Sequence, residues 1–110
     1  MKKLFWLILM TLAFALQARA QTLRAYERAA EKAFEQKDYY AALVYYEVVL
    51  EATEQRVDIF YDYAEAARLF NALPLAENYY QKVIMADSVG QYPETAFHLA
   101  GIKQKLGKYQ

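Results

Sequence analysis

Apolar residues along most of this chain recur at the spacing of an amphipathic helix. The stretch Tyr39–Leu50 is representative, because Ala42, Tyr46 and Val49 lie at positions i, i+4 and i+7 and therefore share one helix face. Short polar turns interrupt the pattern, and we predict five helices, at residues 23–36, 39–52, 57–70, 75–86 and 93–106. Connections this short predict antiparallel neighbours and an all-α fold.

Polar residues and prolines mark several of the predicted helix starts. Thr22 is placed to cap the first helix and Asp38 the second, because their side-chain oxygens can accept hydrogen bonds from free backbone N–H groups. Pro74 precedes the fourth helix at a position where a first-turn proline is tolerated, and Pro93 opens the fifth.

The same residue types return after 34 residues in the sequence. The repeated positions are Ala30, Ala42, Tyr46 and Val49, followed by Ala64, Ala76, Tyr80 and Val83. A fixed period of this length predicts an antiparallel helix-hairpin solenoid, with full units at residues 23–56 and 57–90 and an incomplete unit at residues 93–110. Within each hairpin we expect alanine to face alanine, so that the backbones approach closely and the tyrosine one turn later fills the wider space beside them.

The first twenty residues do not fit this period. Lys2 and Lys3 precede an uncharged, mostly apolar run at residues 4–16, and residues 18–20 read Ala-Arg-Ala. This arrangement predicts a signal peptide at residues 1–20 with cleavage before Gln21. The alternative is a membrane anchor, although a spanning helix needs about 20 apolar residues and this run is shorter. We therefore expect an exported protein.

Composition and charge narrow the classes of partner. The whole chain has 13 basic and 13 acidic residues; removing Lys2, Lys3 and Arg19 leaves ten against 13, a net charge of −3. A mildly acidic domain without a run of lysine or arginine is unsuited to nucleic acid or anionic lipid. The chain has no cysteine, and so no disulfides and no acceptor for lipoprotein attachment, which is ordinary for a bacterial envelope protein.

Two stretches carry a family resemblance. KDYYAALVYYEVVLEATE at residues 37–54 and NALPLAENYYQKVIMAD at residues 71–87 resemble second helices of tetratricopeptide repeats. The departures are alanine at positions 33 and 67, where tyrosine is usual, and Glu54 and Ser88, where the repeat-ending proline is usual. With the signal peptide, residues 25–43 and 63–83 are similar to the N-terminal repeats of large envelope proteins that carry an OmpA-like peptidoglycan-binding domain, some of which belong to type IX secretion and gliding machinery.

The resemblance implies a concave groove, lined by the first helix of each unit, that binds a protein or peptide segment. The groove positions would be Arg24, Glu27, Glu31, Phe34, Asp58, Tyr61, Glu65 and Arg68, then Glu94, Phe97, Gly101 and Gln104. Relatives that clamp an acidic C-terminus have Lys and Asn where this chain has Glu27 and Glu31, so we expect a neutral or basic segment instead. The alternative is that these carboxylates, with Asp62, form only a solvated face.

The residue types and their spacing give little support for catalysis or cofactor binding. His98 is the only histidine and is expected to be a surface or packing residue. Asp58, Asp62 and Glu65 could touch one cation, but the Glu-x-x-His pairs of helical metal sites are absent. We therefore predict no enzyme activity, no metal, no cofactor and no small-molecule substrate.

The eleven tyrosines are mostly explained by packing. The tyrosines at positions 45, 46, 79 and 80 occupy paired repeat positions, where their rings fill the space between helices. Those at positions 61, 63 and 92 are expected to be less buried in the core.

The repeat pattern stops within the turn at residues 107–109, so we expect the chain to be a fragment or the N-terminal part of a longer protein. The fifth helix would then leave part of Phe97, Leu99, Ile102 and Leu106 uncovered, which predicts self-association. Two functions remain open. One is a periplasmic interaction module that forms the scaffold of an outer-membrane assembly through domains further along the chain. The other is a sensory or docking region of an envelope protease or signalling kinase.

Overall fold

The computed structural model describes residues 1–107, and all regular structure in that range is helical. The helices are α1 (Lys2–Glu35), α2 (Tyr39–Ala52), α3 (Val57–Leu69), α4 (Leu73–Ala86) and α5 (Thr95–Lys105). Residues 1–107 contain no strand, which confirms the all-α prediction. Residues 108–110, the end of the predicted third unit, lie outside the described part of the chain.

Each helix packs against the next one in the chain. The most extensive contacts join α1 to α2 and α3 to α4, and smaller contacts join α2 to α3 and α4 to α5. Three residues connect the helices within each of the first two pairs, and a connection this short between packed helices makes each pair an antiparallel hairpin.

The turns of the two hairpins have the same backbone geometry. Lys37 and Asn71 lie 34 positions apart, and both adopt the left-handed conformation, with φ of 63° and 66°. The following residue donates its backbone N–H to a carbonyl five positions earlier, Asp38 to Ala33 and Ala72 to Ala67, at 2.8 Å in both cases. This is the hydrogen bond of a Schellman motif, which ends a helix by satisfying one of its free carbonyl groups.

The core is rich in alanine and tyrosine. The eight repeated residues named above are all buried, and none exceeds 2% exposure. The four repeated alanines are completely buried, which suits closely packed helices. Tyr63 is also buried, at 4% exposure, and its ring meets Tyr79 edge-on with centroids 4.6 Å apart. The expectation that Tyr63 would be less buried in the core was wrong, since its side chain faces α4 and not solvent.

The N-terminal segment corrects another prediction. Helix α1 runs without interruption for 34 residues, so Thr22 lies inside it and donates its hydroxyl hydrogen to the Ala18 carbonyl at 2.9 Å. Thr22 is therefore not a helix cap, because no glycine or proline between residues 2 and 35 separates the apolar run from the first predicted helix. The side chains of residues 2–20 are exposed, and α1 is long and apolar enough to cross a membrane, a property that signal sequences share.

The remaining helix ends lie close to the predictions. The range of α2 matches the prediction, and Asp38 caps it by accepting a hydrogen bond from the Ala41 backbone at 3.2 Å. Helix α4 begins at Leu73, two residues early, with Pro74 in its first turn. Helix α5 begins at Thr95, two residues late, because the segment after α4 is held in a turn by Asp87.

On α5, the side chains of Leu99 and Ile102 are buried against α4, whereas Phe97 is 78% exposed. Only part of the apolar surface predicted to be open on this helix is therefore uncovered.

Candidate functional site

Helices α1 and α3 both contact α2, and their acidic side chains come together above it. We call this surface the acidic face, formed by Glu27 and Glu31 of α1, Asp58, Asp62 and Glu65 of α3, and Tyr46 of α2. Burial raises the pKa of the Tyr46 hydroxyl, and the charges of four of these carboxylates, all except Glu65, raise it further. The tyrosine hydroxyl thus lies beneath carboxylates from both helices.

Asp62 is the carboxylate with the most unfavourable surroundings. Burial raises its pKa to about 6, and the negative charges of Asp58, Glu31 and Glu65 add to the effect. Within residues 1–107, no side chain forms a hydrogen bond or ion pair with the Asp62 carboxylate. At neutral pH this position therefore carries a negative charge that no side chain in that range pairs with, and the positive charge of Arg56 offsets only part of it.

Arg56 holds one end of the acidic face together. It donates two hydrogen bonds to Asp58, from Nε at 3.0 Å and from Nη2 at 2.8 Å, and Nη2 also lies 2.9 Å from Glu27 Oε1. The hydrogen bonds from Arg56 lower the pKa of Asp58. A single guanidinium thereby joins the start of α3 to α1, and all of this pairing occurs within the chain.

A second polar network joins α3, α4 and α5 around Glu65. Glu65 accepts hydrogen bonds from the Tyr80 hydroxyl and from Arg68 Nη2, the latter at 3.0 Å, while Arg68 Nε donates to the Tyr80 oxygen at 3.1 Å. His98 Nε2 lies 3.5 Å from Glu65 Oε1, and its ring stacks on Tyr80 with centroids 5.8 Å apart. His98 thus packs at the junction of three helices.

Aromatic rings lie at the side of the acidic face. Tyr61 stacks on Tyr92, with centroids 4.6 Å apart and an interplanar angle of 25°. The carboxylate of Asp87 positions Tyr92 by accepting hydrogen bonds from the backbone N–H groups of Gln91 and Tyr92, at 3.0 and 2.9 Å. Tyr61 lies on α3 between Asp58 and Asp62, so the stack is beside the acidic face. The charges of Asp58 and Asp62 contribute, after burial, to raising the pKa of Tyr92. A cavity of about 240 Å³ lies next to these two rings.

Phe34 is less available than predicted for contact with a partner. Its ring packs edge-on against Tyr39, with centroids 5.3 Å apart, and it is partly buried against the core. Tyr61 is therefore the better candidate for apolar contact in the groove.

The predicted groove positions of the third unit line a different space. Phe97, Gly101 and Gln104 of α5, together with Arg68 and His98, border a cavity of about 430 Å³. Glu94 lies before α5 in the turn that carries Tyr92, and its charge contributes to raising the pKa of Tyr61 to about 12, after burial and Glu65. The structure thus brings α1 and α3 together in one site and α3 and α5 in another.

Sequence reasoning missed several members of this site. Arg56 lies in a connection, where helix periodicity does not place side chains. Asp62 was considered as a cation contact, but the sequence does not show that it is buried or that the charge of Glu31 on α1 acts on it. Residues 1–107 contain no group of three or more acidic, histidine or cysteine side chains arranged to hold a metal ion.

No family model matches this chain. No curated protein matches it either.

Proposed function

We propose that this chain is a non-enzymatic protein-interaction module of the bacterial periplasm, built as a solenoid of tetratricopeptide type. Support for the architecture comes from the two hairpins, whose left-handed turn residues and closing hydrogen bonds recur at the same 34-residue spacing. The eight buried alanine, tyrosine and valine positions recur in the same phase. Stacked helical hairpins of this kind present extended surfaces that bind other polypeptides.

The observation that carries the binding function is the acidic face. It combines five carboxylates with the Tyr61–Tyr92 stack, on the helices that would line a concave groove. Its occupant would be a neutral or basic segment, since an acidic one would be repelled. The alternative, a merely solvated face, fits Asp62 poorly, because burial is the main cause of its raised pKa.

The location rests on the N-terminal segment. The exposed apolar part of α1 follows two lysines and has the properties of a signal sequence, which suits export. In the periplasm the module would serve as a scaffold for an outer-membrane, peptidoglycan-associated or type IX secretion assembly. N-terminal sequencing of the chain recovered from a bacterial envelope tests export, and a retained Met1 would contradict cleavage before Gln21.

Site-specific photo-crosslinking tests the binding function. A photoreactive phenylalanine replaces Tyr61 in the full chain, and the matched control carries it at Tyr40, which is 62% exposed on α2 and packs against Phe70. We expect a discrete crosslinked protein from Tyr61 only, and its loss on Glu31→Lys. Equal crosslinking from both positions, or crosslinking that Glu31→Lys does not change, would refute the groove.

Glu31 is the better carboxylate for this charge reversal. It is exposed, and no side chain in residues 1–107 pairs with it. Reversing Glu27 or Glu65 would instead break the internal contacts with Arg56 or Tyr80, and would confuse lost folding with lost binding.

A further inference from the structure

We infer that the acidic face binds a lysine side chain of the partner segment, with the ammonium group held by Asp62, Glu31 and the Tyr46 hydroxyl. This inference deepens the proposed function and rests on it, since it names the chemical group that the groove recognises. Three observations support it: the charge balance of the face, the state of Tyr46, and the position of the aromatic stack.

The acidic face has more negative than positive side chains, so it can attract one or more cations. Five carboxylates on the face stand against two arginines, Arg56 and Arg68, which leaves three uncompensated negative charges. Both guanidinium groups are already held, Arg56 by Glu27 and Asp58, and Arg68 by Glu65 and Tyr80. The uncompensated carboxylates therefore include Asp62 and Glu31, one from each wall of the face.

Tyr46 is an independent sign of a ligand. The residue is only 2% exposed, and its hydroxyl forms no hydrogen bond with any other group in residues 1–107. The hydroxyl oxygen keeps contact with the surface, because Thr95 Oγ1 is the one fully enclosed side-chain atom without a partner in residues 1–107, so a ligand can reach the Tyr46 oxygen as an acceptor. Arg56 bridges Glu27 and Asp58, and Glu31 and Asp62 lie one helical turn further along α1 and α3 on the same side. These two carboxylates also have the largest electrostatic effect on the Tyr46 hydroxyl.

The chemistry of these three groups suits an ammonium ion. A lysine ammonium is a compact charge with three donors that rotate freely, and it can satisfy two carboxylates and a phenol oxygen from different directions. A guanidinium is planar and matches a single carboxylate in a fork, the geometry that Arg56 already makes with Asp58. A lysine is therefore expected to bind better than an arginine.

The aromatic stack supplies contact for the rest of such a side chain. The Tyr61–Tyr92 pair lies close enough to Asp58 and Asp62 for their charges to act on the Tyr92 hydroxyl. The methylene groups of a lysine can pack on an aromatic ring while its charged end reaches the carboxylates. The face thus offers both an apolar and an anionic contact to one side chain.

Peptide binding to the full chain, purified in a non-ionic detergent, tests the inference. The probe is a short fluorescein-labelled peptide of glycine, serine and regularly spaced lysines, compared by anisotropy at low ionic strength with the same peptide carrying acetyl-lysine or arginine. We expect the lysine peptide to bind about tenfold more tightly than the acetylated one, a difference of about 1.4 kcal/mol, and more tightly than the arginine peptide.

Matched variants locate the site. Asp62→Asn should remove most of the preference for lysine over acetyl-lysine, and Tyr46→Phe should reduce it. Glu51→Gln should leave it unchanged, because Glu51 is an exposed carboxylate on α2 outside the acidic face. Equal losses from Asp62→Asn and Glu51→Gln would overturn the inference, as would an arginine peptide that binds as well as the lysine peptide.

Two further outcomes separate this inference from the proposed function. If all peptides bind equally well and Glu31→Lys still abolishes binding, the interaction module stands and the lysine site is wrong. If no peptide binds and Tyr61 captures no partner, both fail.

Magnesium chloride serves as the test for a metal site. Magnesium binding that depends on Asp62, without a preference for lysine, would also overturn the inference.

Discussion

Replacing Asp62 with asparagine should stabilise the protein at neutral pH. The substitution keeps the size and shape of the side chain but removes a charge that burial and three neighbouring carboxylates disfavour. The pKa of Asp62 is about 6, compared with an ordinary value of 3.8. A difference of about two pH units corresponds to about 3 kcal/mol, an upper limit because asparagine must also be desolvated.

The sign of the pH dependence follows from proton binding. Between about pH 4 and pH 6 the folded chain holds a proton on Asp62 that the unfolded chain has lost, so the contribution of Asp62 to stability falls as the pH rises through this range. Asparagine does not titrate. We therefore expect Asp62→Asn to raise the free energy of unfolding by about 1–3 kcal/mol at pH 7, and by much less at pH 4.

Urea unfolding of the full chain, followed by far-ultraviolet circular dichroism, measures this difference at both pH values. The groups that act on Asp62 are the same in the two proteins: Glu31 of α1, Asp58 and Glu65 of α3, and Arg56 in the preceding connection, with Tyr46 and Tyr92 nearby. A variant that is less stable than the wild type at pH 7, or a gain that persists unchanged at pH 4, would refute the reasoning.

Asp58 provides the matched control, one helical turn away on α3. Its pKa is lowered because Arg56 donates two hydrogen bonds to it, so Asp58→Asn should reduce stability at neutral pH. The Asp58 side chain is half exposed, at 50%, and the loss should be below about 1 kcal/mol. If the two substitutions, both Asp→Asn on the same helix, change the free energy of unfolding in opposite directions, local charge and not helix propensity is the cause.

Three other predictions concern the core and the turns. Ala76→Leu should lower the free energy of unfolding by about 1–3 kcal/mol, because Ala76 is fully buried and has no room for a larger side chain; an unchanged thermal melt would contradict close packing at that position. Tyr80→Phe should lower the free energy of unfolding by about 1–3 kcal/mol, since Glu65 and Arg68 lose a shared hydrogen-bond partner. Tyr46→Phe should leave the free energy of unfolding nearly unchanged. Urea titrations in which Tyr46→Phe is the more damaging change would be evidence against both assignments. Lys37→Gly should stabilise by about 0.5–1 kcal/mol, because Lys37 adopts a left-handed conformation that glycine accepts without strain; calorimetry that shows a loss would mean that the lysine side chain stabilises the turn.

Much of the backbone could be predicted from periodicity alone. The range of α2 and the capping role of Asp38 follow from local sequence, because turn residues and apolar spacing specify them directly. The start of α1 could not be placed in the same way. Cleavage signals and helix signals overlap in that segment, and its composition favours a continuous helix.

The candidate site was only partly predictable. Positions on α1 and α3 were assigned to one surface, but periodicity does not say which carboxylates are paired. Glu65, Tyr80 and His98 lie far apart in sequence and meet only because three helices converge. A helical register places Asp58 and Asp62 on one face, but their environments are opposite. Arg56, which belongs to no helix, pairs with Asp58, whereas burial disfavours the charge of Asp62.

If the chain is cleaved after Ala20, as proposed, the unbroken helix α1 has a consequence for the new N-terminus. Scission after Ala20 would remove the carbonyl of Ala18, to which the Thr22 hydroxyl is bonded, and would leave the first amide groups of the new N-terminus without partners. Thr22 would then stand one residue from the new chain end, with its hydroxyl free to serve those amides. Thr22 would then change from a residue inside the helix to its N-cap. Cleavage would thus move the start of the first helix to this residue and leave the packing of the other helices unchanged.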